Sequence, residues 1–222
     1  MNHDPMIRDT VKEGGLIHIM IETSFFKYGD TEMDALKKAD AVLGAAMMRI
    51  GKVDRATSPD LFSALVYTII GQLISVRAAD KAWARLQEQS GAITPISIAS
   101  QSPERIQACG ITMNKSICIH EMACRIVNRE FDLEELPLLS DEDVIQKLTS
   151  CKGIGRWTAE MLLLHSLQRP DVVSWGDAAI RRGMMKLYGL SSLDKKQFDQ
   201  YRLRYSPYGS VASIYLWEIS IE

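Results

Sequence analysis

The sequence predicts a nearly all-helical protein. Three observations carry the prediction. Glycines and prolines gather at a few junctions, no Asn-Gly or Asp-Gly turn sits between alternating runs, and amphipathic stretches of helical length fill most of the rest. In chain order, helices are expected over residues 30–50, 59–74, 76–90, 103–109, 114–129, 140–150, 154–168, 177–188, 194–205 and 209–220. Ahead of them residues 1–29 read as mixed or extended, with Leu16 to Ile21 suited to a short strand, and residues 30–222 form the core. The run between Ser90 and Pro103 reads as a proline-broken loop that joins helices within one core.

Composition narrows the class. In 222 residues, 46% are hydrophobic, ample for a real core. No stretch reaches the ~18 uncharged apolar residues of a membrane helix, and the start Met1-Asn2-His3-Asp4-Pro5 lacks the basic and apolar regions of a secretory signal. A cytoplasmic protein with no membrane partner is expected. Cys109, Cys118, Cys124 and Cys151 are irregularly spaced and form no CxxC pair, so they are expected to be reduced and mostly buried. The net charge of −2 argues against broad electrostatic binding to nucleic acid, although Ile145 to Tyr205 holds eleven Lys and Arg against five acids.

The most distinctive stretch joins two of the expected helices. Ser140 caps the first, acids follow in its first turn, and Val144, Ile145 and Leu148 mark its apolar face. Then come Lys152-Gly153-Ile154-Gly155-Arg156-Trp157-Thr158, in which two glycines flank one apolar plug, Ile154. Glycines at both corners allow unusual backbone angles and let the amides approach a bulky anion, while the next helix presents its unpaired N–H groups the same way. Such a turn near residues 148–158 suits a phosphodiester. Spacing alone is equally met by a tight helix-helix turn. Eighteen residues after Trp157 stand Trp175-Gly176-Asp177, and Asp177 is a good N-cap for the helix that follows.

Three separated segments together resemble the helix-hairpin-helix DNA glycosylases, most closely the 3-methyladenine DNA glycosylase II family. They are Ala64 to Ser75, containing Ile70-Gly71-Gln72-Leu73-Ile74-Ser75; the hairpin with Trp157 and then Asp177 to Gly183; and Tyr205 to Ala212, closing on Tyr215-Leu216-Trp217. The resemblance covers roughly residues 30–220. It implies a two-lobed helical fold with a DNA-binding cleft between the lobes. The implied partner is double-stranded DNA carrying a damaged base, and the implied activity is hydrolysis of that base's N-glycosidic bond in base excision repair.

The resemblance also implies roles. Leu73, beside Gln72, would be the wedge that fills the gap left by an extruded base. Asp177 would be the catalytic carboxylate, stabilising an oxocarbenium-like sugar and orienting water. Trp157 stands where bifunctional relatives carry a nucleophilic lysine, so a monofunctional enzyme without lyase activity is expected. Trp157, Tyr208, Trp175 and Met161 would form the base pocket, whose aromatic faces suit a cationic alkylated purine. Lys152, Gly153, Ile154, Gly155, Arg156 and Thr158 would hold the DNA backbone. No certain metal ligand is indicated. A monovalent cation on hairpin carbonyls near Cys151 and Ile154 is allowed, and the absence of cysteine after Cys151 implies no iron-sulfur cluster. A monomer is expected.

This sequence departs from the family pattern at Cys151-Lys152 before the first glycine, at Gly176, expected to add flexibility before the aspartate, at Met161 and at Gly209. These departures bear on substrate range more than on the reaction. The alternatives are a glycosylase for another damaged base and a noncatalytic helix-hairpin-helix DNA-binding module. His3, His18, His120 and His165 fall in no motif and read as surface or core residues.

Overall fold

The computed structural model describes residues 24–222, and the strand expected at Leu16 to Ile21 lies outside them. The described chain is built of twelve α-helices and one small antiparallel ribbon. Strand β1 (Ser24–Phe25) pairs with β2 (Ala56–Thr57) in the register Ser24 to Thr57, so the end of the N-terminal segment is tied into the fold.

Helices α1 (Asp30–Ala39) and α2 (Ala41–Ile50) replace the single helix expected over 30–50. The break is Asp40, whose backbone is extended and whose carboxylate accepts the amides of Val42 and Leu43 at 3.0 Å each. An aspartate that caps the following helix ends the preceding one. Next come α3 (Leu61–Gly71) and α4 (Val76–Ser90). The expected loop after Ser90 contains a short helix, α5 (Pro95–Ala99), formed because Thr94 and Ser97 cap each other's backbone N–H and Pro95 takes the first turn. The fully buried Ile98 anchors it.

The chain continues through α6 (Pro103–Gln107), α7 (Met113–Val127), α8 (Asp141–Thr149), α9 (Arg156–His165), α10 (Ala178–Tyr188), α11 (Lys195–Tyr205) and α12 (Gly209–Ile221). Helices α3 to α9 pack mainly on one another, whereas α1, α2, α10, α11 and α12 form a second group. The chain therefore starts in one lobe, builds the other, and returns after α9. Both crossings are strapped together where the Ser58 amide donates to the His165 carbonyl at 2.9 Å. The second lobe is closest-packed where α10 meets α12: a Cβ at Gly183 would lie 2.0 Å from the Leu216 carbonyl oxygen. No helix among the described residues is long and apolar enough to cross a membrane.

Candidate active site

The hairpin forms between α8 and α9 much as its residues suggest, with one difference. Gly153 has φ +88°, and a Cβ there would sit 2.8 Å from Cys118 Sγ, so the turn requires glycine twice over. Gly155 is extended, with φ −97° and ψ 173°, a conformation any residue adopts. Its use is space, since nothing among the described residues lies within 4 Å of where its Cβ would be, which keeps the approach to the start of α9 open on their side. Among the described residues no side chain caps α9, which leaves its first amides for an incoming acceptor. Ile154, 4% exposed, plugs the hairpin as expected.

The other hairpin residues divide. Lys152 is exposed and makes no ion pair among the described residues. Arg156 is engaged with Glu142 at 3.1 Å and Glu160 at 2.9 Å, so it would have to exchange these partners to take a phosphate. Thr158 is buried, and its hydroxyl accepts the Gln72 side-chain amide at 3.0 Å, which makes it an internal strut. The same amide donates to the Gly153 carbonyl at 3.1 Å. Gln72 therefore ties the end of α3 to the hairpin and does not itself project from the surface.

The helix expected to reach residue 74 stops at Gly71, because the chain turns outward at Leu73. Leu73 has φ +57°, a left-handed conformation that a leucine adopts only under constraint, and its side chain stands fully in solvent. The constraint is visible. Lys115 Nζ donates to the carbonyls of Ile70 at 2.8 Å and Gln72 at 2.6 Å, closing the end of α3 under the turn. An apolar side chain is thus held outward on a rigid support beside the hairpin.

Asp177 caps α10. Its Oδ1 accepts the amides of Ala179 and Ile180 at 2.9 Å each and the indole N–H of Trp217 at 3.3 Å; its Oδ2 accepts the indole N–H of Trp157 at 3.0 Å. The carboxylate is 8% exposed, and every partner donates, as an acceptor-only group demands. Trp157 comes from the hairpin lobe and Asp177 from the other, so this hydrogen bond closes the junction between them. Gly176 does not loosen it. A Cβ at Gly176 would lie 2.9 Å from Trp157 Cβ, so the glycine lets the tryptophan pack against the segment that delivers Asp177.

The remaining pocket candidates lie elsewhere. A groove of about 670 Å³ between α8, α9 and α11 is lined by Trp157, Trp175, Gly176, Phe198, Arg156 and Arg202 among others, but not by Asp177. Trp175 faces it, edge-on to Phe198 at 5.2 Å, with the Arg181 guanidinium 4.9 Å from its ring. Met161 is 4% exposed, inside the core. Tyr208 sits at the start of α12, half-buried. At the next residue the departure Gly209 has a steric cause, since a Cβ there would lie 2.5 Å from Asp171 Oδ1.

Three residues that the sequence does not single out complete the surroundings of Asp177. Trp217 holds its Oδ1, stacks on His165 with ring centroids 5.3 Å apart, and carries the Arg55 guanidinium 4.4 Å from its ring centre. Burial, with Arg55 nearby, pushes His165 down to about 4, so the imidazole is a neutral platform at pH 7. Burial also pulls Arg55 below the ordinary arginine value, against Glu218, Asp177 and Tyr67, which pull the other way. Trp217 had a signal, its place in the closing motif, but a tryptophan in an apolar helix reads first as core. Arg55 and His165 had none. Among the described residues no group of three or more His, Cys, Asp or Glu could hold a metal ion.

The chain is similar in sequence and fold to known DNA repair proteins. The family described as HhH-GPD superfamily base excision DNA repair protein matches residues 66–207. DNA-3-methyladenine glycosylase 1 of Schizosaccharomyces pombe is 33% identical over 167 residues, covering 72% of each chain. The crystal structure of a DNA-3-methyladenine glycosidase from Bacillus halodurans superimposes with a TM-score of 0.74 at 32% identity, over 89% of this chain and 92% of that one. A Schizosaccharomyces pombe 3-methyladenine DNA glycosylase in complex with abasic DNA gives 0.77 at 28% identity, over 85% and 95%.

Proposed function

We propose that this chain, which belongs to the HhH-GPD superfamily of base excision DNA repair proteins, is a monofunctional DNA glycosylase that releases alkylated purines of the 3-methyladenine and 7-methylguanine type from duplex DNA. The observation that carries the reading is Asp177: a buried carboxylate fixed by two indoles and a helix start, at the junction that also presents the hairpin and Leu73. The names of the relatives above support the substrate class.

The chemistry follows from the residues. The open amides at the start of α9, with Lys152, take a backbone phosphate, which positions the duplex without reading sequence. Extruding the base costs a few kcal/mol, less for a damaged pair, and Leu73 fills the gap. As the C1′–N bond stretches, positive charge grows on the sugar. A carboxylate oriented beforehand in a partly dry site stabilises that charge and accepts a proton from the attacking water. Alkylation at N3 or N7 makes the base cationic, so it departs neutral. With Trp157 at the hairpin position of a nucleophilic lysine, no Schiff base forms there and the abasic strand stays whole.

The same proposal includes a monovalent cation on the hairpin. The Cys151 carbonyl accepts the Ile154 amide and the Gly153 carbonyl accepts Gln72, so each keeps a second lone pair for a cation. Such an ion would add positive charge where a phosphate docks.

The test is base release from methylated duplex DNA by the wild type and by Asp177→Asn, each with and without hot alkali. Methylpurine release by the wild type alone, with strand breaks only after alkali, supports the reading. Breaks without alkali would overturn the monofunctional assignment, and full activity in Asp177→Asn would overturn the mechanism.

A further inference from the structure

Arg55 lies between α2 and β2, and its main chain is held by the Phe26 amide donating to its carbonyl at 2.8 Å. Its guanidinium rests on Trp217, the ring whose N–H grips Asp177. Among the described residues its side chain makes no hydrogen bond and no ion pair within 4 Å, although the Glu218 and Asp177 carboxylates are near enough to oppose the effect of its burial. Tyr67, also near, spends its hydroxyl on Asp80 at 2.6 Å. An arginine placed for structure normally spends its planar fork of donors on carboxylates or carbonyls. Here a partly desolvated cation keeps that fork free beside the catalytic carboxylate, on an aromatic face of the kind that a cationic base would otherwise use.

We infer that Arg55 is the leaving-base contact, donating to a ring or exocyclic acceptor of the extruded base and so extending the reaction to damaged bases that are neutral. The inference rests on the reading that Asp177 directs hydrolysis of the glycosidic bond. When that bond breaks, its electron pair stays with the base. A cationic base thereby leaves neutral and asks for no help, and a resident guanidinium opposes its binding. A neutral base leaves as an anion, which the guanidinium stabilises. Water's oxygen bonds to C1′, one of its protons stays on the new hydroxyl, and the other passes through Asp177 to the departing base nitrogen. Arg55 therefore sets selectivity between charge classes of lesion.

The experiment is single-turnover release of hypoxanthine (neutral) and 7-methylguanine (cationic) from otherwise identical duplexes by wild type, Arg55→Gln and Arg55→Lys. Removing one donor to developing negative charge costs roughly 100-fold. The ratio of hypoxanthine to 7-methylguanine release should fall by about that factor in Arg55→Gln. It should fall less in Arg55→Lys, which keeps the charge and serves as the folded control. An equal loss on both lesions overturns the inference in favour of a packing role. A loss confined to DNA affinity, with a reduced salt dependence, overturns it in favour of a phosphate contact. Release of 7-methylguanine but not hypoxanthine by the wild type also overturns it while leaving the glycosylase reading intact; release of neither base counts against that reading itself.

Discussion

Two aspartates in this protein begin from the same local chemistry and end in different surroundings. Asp40 precedes Ala41-Val42-Leu43 and Asp177 precedes Ala178-Ala179-Ile180; each caps a helix through Oδ1 on two backbone amides, and each is buried. They diverge at the second oxygen. Asp40 Oδ2 accepts the Tyr188 hydroxyl at 2.8 Å and the Arg204 guanidinium at 3.2 Å, and Tyr188 is also paired with Tyr205 at 2.7 Å. Its charge is matched by a cation, and the cluster staples α1 and α2 to α10 and α11. Among the described residues Asp177 Oδ2 accepts only an indole N–H, and the guanidinium near it lies on Trp217 and makes no hydrogen bond to the carboxylate. A helix cap whose charge is matched by a cation serves structure, whereas one held by neutral donors keeps its charge available, as the proposed mechanism requires of Asp177.

The sharpest way to break the comparison is to remove each charge in turn. Asp177→Asn should lower the single-turnover rate of methylpurine release by roughly 10³-fold, about 4 kcal/mol of barrier, with little loss of binding to lesion DNA. Asp40→Asn should leave that rate near wild type. Equal rates in the two variants would sink the distinction.

Acid should undo the Asp177 side through its platform. The His165 value falls from 6.5 unfolded to about 4 folded, so the folded state binds fewer protons in that interval. The resulting stability is complete above about pH 6.5 and is lost as pH falls toward 4, on the order of 3 kcal/mol. Denaturant titrations across this window should show the loss in the wild type and a flatter profile in His165→Gln. An unchanged profile would mean the imidazole is not held neutral.

On the Asp40 side, Asp40→Ala removes a cap and the carboxylate partner of the Tyr188 hydroxyl and the Arg204 guanidinium. It should cost about 2 kcal/mol of stability, visible as a lower Tm, while the protein that stays folded releases base normally. The smallest effect tests the proposed wedge. Leu73→Gly relieves a left-handed leucine and should stabilise the fold by about 1 kcal/mol, yet weaken release from duplex more than from single strands. Equal loss on both substrates would count against the wedge.

How much of this was legible beforehand depends on the range of the interaction. The helices, the hairpin, the buried Ile154 and the cap at Asp177 were read from residues a few positions apart, because capping and apolar periodicity act within a turn or two. The break at Asp40 and the short helix at Pro95 used the same local chemistry and were missed because each sat inside a longer pattern. Thr158 and Gln72, expected to face DNA, instead bind each other across the lobe. Gly176, expected to loosen the site, tightens it against Trp157.

By itself, then, the sequence determined the helical class, the family resemblance, the hairpin and the helix cap at Asp177, since each rests on short-range backbone preferences or on a motif preserved in order. Only the tertiary structure decided which aspartate is neutralised, that Trp157 and Trp217 grip the Asp177 carboxylate from two directions, that Leu73 is forced outward, and that Arg55 lies on the Trp217 face. Those outcomes depend on side chains as far apart in the chain as Arg55 and Trp217, brought together by packing, and desolvation and charge pairing are set by what surrounds a group in space.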